Sequence, residues 1–218
     1  MLSRRLESIK SFLKKNDKVV DVGCDHGYLS IEVFENKLCQ SVIATDINES
    51  ALDRAKKNIR EKNLPIRTIL TDGLKNISTK DYDTVVISGM GTNTILHILD
   101  NEEKIKSVKK IILQSNNNRV KLREELNKLG FYLTDENIVY ENKKYYITML
   151  YIKSNEKNTK EEIKYGIIKK EHFAYYNYVI TSYENIISKL PLKRFKERHA
   201  LKKSIKELKK LMKKELKK

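Results

Sequence analysis

Cysteine is scarce in this chain. Its 218 residues include two, Cys24 and Cys39, and these stand singly, without the C-x-x-C spacing of a zinc site or the larger set of a disulfide framework. A reducing cytoplasm is therefore the expected setting, with no metal. Long apolar runs are missing too: nothing approaches the roughly 20 apolar residues that span a bilayer, so no membrane partner is expected. The opening MLSRRLESIKSFLKK mixes charge with helically spaced Leu2, Leu6, Ile9 and Leu13, which is not the pattern of a signal peptide. Acidic residues are in deficit, 29 Asp and Glu against 45 Lys and Arg for a formal charge of +16. That excess points to a polyanionic partner, unless it is only solvated surface in a chain rich in Lys, Asn and Ile.

The length suits one well-cored domain with an appendage. Through about residue 150, short β-branched runs (KVVDVG, SVIATD, IRTILTDG, DTVVISG, KKIILQS) alternate with helical patterns, the signature of parallel βαβ units. FYLTDENIVY and KKYYITMLYI, joined by the turn ENK, then read as a hairpin that closes five parallel strands with an antiparallel pair. Methyltransferases dependent on S-adenosylmethionine share that arrangement, whereas a dinucleotide dehydrogenase would usually continue βαβ.

The polar stretch SNEKNTKEE from Ser154 marks the boundary, giving expected domains 1–153 and 154–218. Beyond it, Ile163, Ile167, Tyr175, Val179, Tyr183, Ile186 and Leu190 suggest one helical stripe ending at Pro191, and Leu201, Ile205, Leu208, Met212 and Leu216 a second. Together they read as an antiparallel, coiled-coil-like helical hairpin. Residues 160–218 carry 18 Lys and Arg against 7 Asp and Glu, +11 of the chain's +16. Clustered cations of this kind meet a phosphate backbone irrespective of base sequence; a dimerising helical pair is the competing reading.

Ligands of parallel sheets bind beyond the carboxyl ends of the strands, and the residues there are distinctive. The first strand empties into DVGCDHGYLS, where Asp21 precedes a turn with Gly23, Asp25, His26, Gly27 and Tyr28. Gly23 and Gly27 permit a tight turn and a close ligand. Asp46, followed by Ile47, ends the second strand and could accept from both ribose hydroxyls; Asp72-Gly73 ends the third and suits an adenine amine; Ser88-Gly89-Met90-Gly91 ends the fourth. Two acids and a glycine turn without a P-loop lysine describe an adenosine cofactor lacking a triphosphate. S-adenosylmethionine fits best. NAD is the runner-up, but Asp25 would repel its pyrophosphate. Several of these residues also have plain structural readings: Asp25 as a helix N-cap, His26 and Tyr28 as packing residues, Met90 as core filler, Arg4 and Arg5 as flanks of the first helix.

LSRRL, DVGCDHGYL, TDGL, ISGMGT, IILQSN and ENKKYY together resemble the bacterial tRNA (adenine-N1)-methyltransferase family that modifies adenine 22 of the D-arm, the TrmK family, over about residues 2–152. The resemblance implies a class I, Rossmann-like α/β methyltransferase domain, S-adenosylmethionine as donor, and a helical extension that helps hold tRNA. Carried over by position, Gly23, Asp25, His26 and Tyr28 form the first cofactor loop, Asp46 and Ile47 the ribose edge, and Asp72 and Gly73 the adenine edge. Gly89, Met90 and Gly91 form a wall between donor methyl and target base. Gln114 and Asn116 match the family's L-Q-P-N and are expected at the substrate, but Ser115 replaces its proline and Thr92 the second glycine of G-M-G-G.

Adenine N1 already carries a lone pair, so an enzyme acting there must position the base and exclude water rather than create a nucleophile. ISGMGT accordingly lacks the [DN]-P-P-[YFW] clamp of enzymes that methylate exocyclic amines. Tyr28 is expected to stack on an extruded base, Asp25 or His26 to orient the N6 amine or take its proton, and Arg5 to touch phosphate. The alternatives are a non-catalytic RNA-binding protein on the same scaffold and a small-molecule methyltransferase with a dimerising tail. A monomer is expected.

Overall fold

The computed structural model describes residues 2–217. The chain divides into two compact units, Met1–Asn158 and Thr159–Lys218. In the first, strands β1 (Lys18–Val22), β2 (Ser41–Asp46), β3 (Arg67–Leu70), β4 (Thr84–Met90), β5 (Lys110–Ser115), β6 (Phe131–Glu141) and β7 (Lys144–Lys153) are interleaved with helices α1 (Arg4–Lys10), α2 (Tyr28–Glu35), α3 (Glu49–Glu61), α4 (Thr92–Leu99), α5 (Glu102–Ile105) and α6 (Arg119–Lys128) until the final hairpin, except that turns and no helix join β3 to β4. They form one seven-stranded sheet in the order β3-β2-β1-β4-β5-β7-β6. Five strands are parallel, and β7 runs antiparallel to both β5 and β6. The α/β sheet closed by an antiparallel pair is thus as the sequence predicts.

The central strands are apolar along nearly their whole length because helices cover both faces. Val20, Val85, Val86, Ile87, Ile111, Ile112 and Leu113 are fully buried. Strand order reverses between β1 and β4, and at such a switch point neighbouring loops leave the sheet in opposite directions and open a crevice. The expected turn ENK narrows to Asn142-Lys143, both at positive φ, 49° and 61°, while Glu141 and Lys144 stay paired in the ladder. Residues 154–158 remain with the first unit. The Asn158 side chain accepts from Leu133 N at 2.8 Å and donates to Leu133 O at 3.1 Å.

In the second unit, α7 (Lys160–Tyr165) is followed by a short 3-10 turn (Lys170–His172), α8 (Phe173–Lys189) and α9 (Phe195–Glu215). The single stripe predicted from Ile163 to Leu190 is therefore broken. Gly166 takes φ 81°, ψ −164°, a conformation open to glycine and closed to a helix. The phase of α8 also shifts: Tyr176 and Ile180 are buried, while Ile186 is exposed. Its end is where the proline predicts, with Leu190 extended at ψ 132° before Pro191. Arg198 Nη1 then donates to the Ile187 and Leu190 carbonyls at 2.6 and 2.7 Å, satisfying acceptors that a helix end leaves open. Among the described residues no helix is long and apolar enough to cross a membrane.

Candidate active site

The loop after β1 turns through three left-handed residues, Gly23 (φ 75°), Asp25 (φ 49°) and Gly27 (φ 71°). Aspartate is among the few non-glycine residues that tolerate this region. Gly23 N and Cys24 N donate to Thr45 O at 2.8 and 2.9 Å, tying the loop to β2. A side chain at Gly23 would also place its Cβ 2.3 Å from the Met90 methyl, so this glycine is needed for conformation and for close approach alike.

Beyond the loop lies a cavity of about 400 Å³ whose lining includes Arg5, Asp21, Gly23, Asp25, His26, Tyr28, Asp46, Ser88, Gly89 and Met90. Most of the predicted residues thus meet at one place. Asp46 anchors it: its Oδ2 accepts from Asp25 N at 3.1 Å and its Oδ1 from Asn48 N at 2.9 Å, leaving lone pairs on both oxygens for further donors. Asp21 is buried and accepts from Ser30 Oγ at 2.7 Å. Burial pushes its carboxyl up to about 6, opposed by the Ser30 hydroxyl and assisted by the negative charge of Asp46. Burial, with Asp21 and Asp46 adding, also pushes the Cys24 thiol upward, so it stays protonated and unreactive.

Asp25 is not an N-cap, because Gly27 holds that position on α2 without a side-chain bond. Its carboxylate pairs instead with Arg54 Nη2 at 3.0 Å, a partner on α3 that no local pattern announced. The charge read from the sequence as waiting for a cationic ligand is therefore already met by a guanidinium. His26 and Tyr28 are not core residues. Their rings stack, centroids 5.2 Å apart and 6° from coplanar, and Tyr28 is 55% exposed. Asn58 Nδ2 donates to His26 O at 2.9 Å and holds this edge of the loop.

Other predicted residues fall elsewhere. Asp72 pairs with Lys75 at 2.5 Å, a bond that holds its carboxyl below the usual range, and it lines a separate small cleft with His97 and Lys104. Gly73 packs on Ile98, whose atoms lie 3.1 Å from where its Cβ would be. Ile47 is exposed beside Asp46. Gly91 is the N-cap residue of α4.

Gln114, expected at the substrate, is 1% exposed, because β5 carries it inside the sheet. Its Nε2 donates to Thr148 Oγ1 at 2.9 Å, the Thr148 and Ser8 hydroxyls lie 2.6 Å apart, and Ser8 Oγ donates to Arg5 O at 2.8 Å. The single Ser8 proton is used on Arg5, so Thr148 donates to Ser8. This directed chain fixes α1, and with it Arg5, over β5 and β7. Asn116 clamps the β4 turn: its Nδ2 donates to Gly89 O at 2.6 Å and its backbone N to Met90 O at 2.9 Å. Thr92 and Ser115, the two departures from the family pattern, meet with hydroxyls 2.9 Å apart.

The chain matches a family model described as a methyltransferase domain over residues 2–149. It is 32% identical over 148 residues to the tRNA (adenine(22)-N(1))-methyltransferase of Bacillus subtilis, a match covering 66% of this chain and 62% of that protein, less than two thirds of its length. M. capricolum TrmK, solved in complex with S-adenosyl-homocysteine, superposes with a TM-score of 0.83 at 28% identity, covering 98% of each chain. A Streptococcus pneumoniae protein solved in complex with S-adenosyl-L-methionine gives a TM-score of 0.85 at 29% identity, covering 97% of this chain and 100% of that one. With the family model spanning more than half its residues, the chain belongs to the methyltransferase domain family.

Proposed function

We propose that this protein is a tRNA methyltransferase that moves a methyl group from S-adenosylmethionine to N1 of adenine 22 in the D-arm, acting in the cytoplasm. The observation that carries the reading is the sign of the cavity. Asp21, Asp25, Asp46 and Arg5 line it, and with Asp25 paired to Arg54 the other two aspartates still outweigh Arg5, in a chain of net charge +16, which suits a compact cationic ligand and repels a pyrophosphate. The cofactor supplies an electrophilic methyl on a sulfonium sulfur. Asp46 would accept the ribose hydroxyls, and Gly23 would let the ligand lie against the loop backbone. The stacked His26 and Tyr28 rings offer an aromatic edge for an extruded base, with Asp25 or His26 orienting its N6 amine.

The end of β4, ISGMGT, lacks the [DN]-P-P-[YFW] clamp of enzymes that methylate exocyclic amines, which favours attack by a ring nitrogen. The basic helical unit would meet the tRNA phosphates. The relative from Bacillus subtilis is named for this reaction.

Two measurements test the proposal. Methyl transfer to a pool of unmodified tRNAs, with the product nucleotide mapped, should yield N1-methyladenosine at position 22; another site or atom overturns the regiochemistry. Asp46→Ala should weaken S-adenosylmethionine binding about 100-fold by calorimetry, the loss of two charge-assisted hydrogen bonds, and an unchanged affinity would refute the cofactor assignment.

A further inference from the structure

We infer that the end of the β6–β7 hairpin, together with the first turn of α1, is a second RNA-contacting surface within the methyltransferase unit, seating an unpaired nucleotide beside the target base. This rests on the functional reading above and deepens it. The hairpin outruns the sheet: β5 pairs with β7 up to Leu113↔Met149, a register that puts Ile147 level with Ser115, the last residue of β5. Residues 144–146 and the turn therefore project about 10 Å beyond β5 at the rise of an extended strand. They do so at the carboxyl edge of the parallel strands, where the cavity opens.

What projects is basic and aromatic. Arg4, Arg5, Lys143 and Lys144 stand against two acids: Glu7, which pairs with Lys10 at 2.8 Å, and Glu141, whose two oxygens accept from Arg4 N and Arg5 N at 2.9 and 3.3 Å. None of the four cations joins an ion pair among the described residues. The Arg5 guanidinium lies 5.6 Å and the Lys144 ammonium 5.3 Å from the Tyr146 ring centroid. On the opposite face of the hairpin Tyr140 and Tyr145 pair across the strands at 4.7 Å, and Tyr140 is 52% exposed. Arg5 joins this surface to the site, since it lines the cavity and its Nη1 lies 3.6 Å from the Cβ position of Gly89.

Lys143 adds an independent indication. It holds φ 61° at the second position of a two-residue hairpin turn, where glycine is the unstrained choice. A lysine there accepts backbone strain and presents an ammonium at the tip. Unpaired nucleotides stack their bases on exposed rings and pair their phosphates with cations; around this hairpin tip Tyr140 offers the ring and Arg4, Arg5, Lys143 and Lys144 the charge.

The test uses the full-length protein and an unmodified tRNA transcript, with affinity measured across a salt series. Lys143→Gly relieves the turn, so its melting temperature should hold or rise. Its tRNA affinity should fall about fivefold at 0.15 M salt, and the slope of log K against log salt should shrink by about one contact's share. Tyr140→Ala should lose about tenfold on the tRNA and nothing on a fully paired RNA duplex. Cofactor affinity should be unchanged in both. Variants that match the wild type in affinity and salt slope, while the wild type binds and methylates tRNA, overturn the surface and leave the functional reading standing. A wild-type chain that binds no tRNA removes both.

Discussion

The two units of this protein carry charge in opposite ways. Residues 1–158 hold 27 Lys and Arg against 22 Asp and Glu, nearly balanced, yet their cavity gathers Asp21, Asp25 and Asp46 around one arginine. Residues 159–218 hold 18 against 7, and α9 leaves Lys202, Lys203, Lys206, Lys209, Lys210, Lys213 and Lys214 exposed. The Glu207 carboxylate is held within the unit by Lys164 and Tyr165, at 2.8 and 2.6 Å. A compact cation calls for converging acids in a concavity; a polyanion calls for a long row of exposed cations. Net charge adds the two together, and the larger hides the smaller.

The sharpest way to break this contrast is in α9. Replacing Lys202, Lys203, Lys206 and Lys210 with Gln leaves its apolar stripe intact, so the helix should persist while tRNA affinity at 0.15 M salt falls about 100-fold. Cofactor affinity by calorimetry should not move. An unchanged tRNA affinity would make this unit a support rather than a binding surface.

An effect of similar size is expected inside the first unit. The Asp21 carboxyl is raised from its ordinary 3.8 to about 6, so the folded state holds the proton more firmly than the unfolded chain does. The resulting stability is full below pH 4 and is lost as pH rises through 6, about 3 kcal/mol at this one group. Asp21→Asn, which can still accept from Ser30, should flatten that part of the profile in denaturant unfolding measured from pH 4 to pH 8. A mutant as pH-dependent as the wild type would show that the carboxyl is not desolvated.

The smallest effect concerns the two departures from the family pattern. If Thr92 and Ser115 compensate for each other, a double-mutant cycle of Thr92→Val and Ser115→Ala should show a coupling of about 1 kcal/mol. Additive losses would make them independent substitutions.

Much of the fold was legible because it rests on local signals. β-Branched runs with intervening helical periods mark the strands, the short turn ENK marks a hairpin, and Pro191 ends a helix in any surroundings. The site was legible in part. Gly23, Asp25, His26, Tyr28, Asp46, Gly89 and Met90 converge on one cavity because parallel strands bring their carboxyl ends together. Arg54, Asn117 and Ser8 were not found. Asn117 Oδ1 accepts from Thr92 N at 3.0 Å across 25 positions, and nothing beside it in the chain foretells that bond.

The second unit misled the periodic reading for a related reason. Spacings from Ile163 to Leu190 fit a helix, but a period does not register a break at one glycine. The turn at Gly166 and the engagement of the Tyr176 hydroxyl with Ile167 O at 3.1 Å set the phase of α8 instead.

By itself, then, the sequence determined the alternation of elements, the glycines its turns require and the placing of positive charge, since each depends on residues within a few positions of one another. Only the tertiary structure decided that Asp25 meets Arg54, that Gln114 is buried beneath α1, and that Asp72 lies in a cleft of its own. Those outcomes join groups 29, 34 and 3 positions apart. Even the shortest of them turns on which way a loop faces, which strand register and helix packing set and local propensity does not.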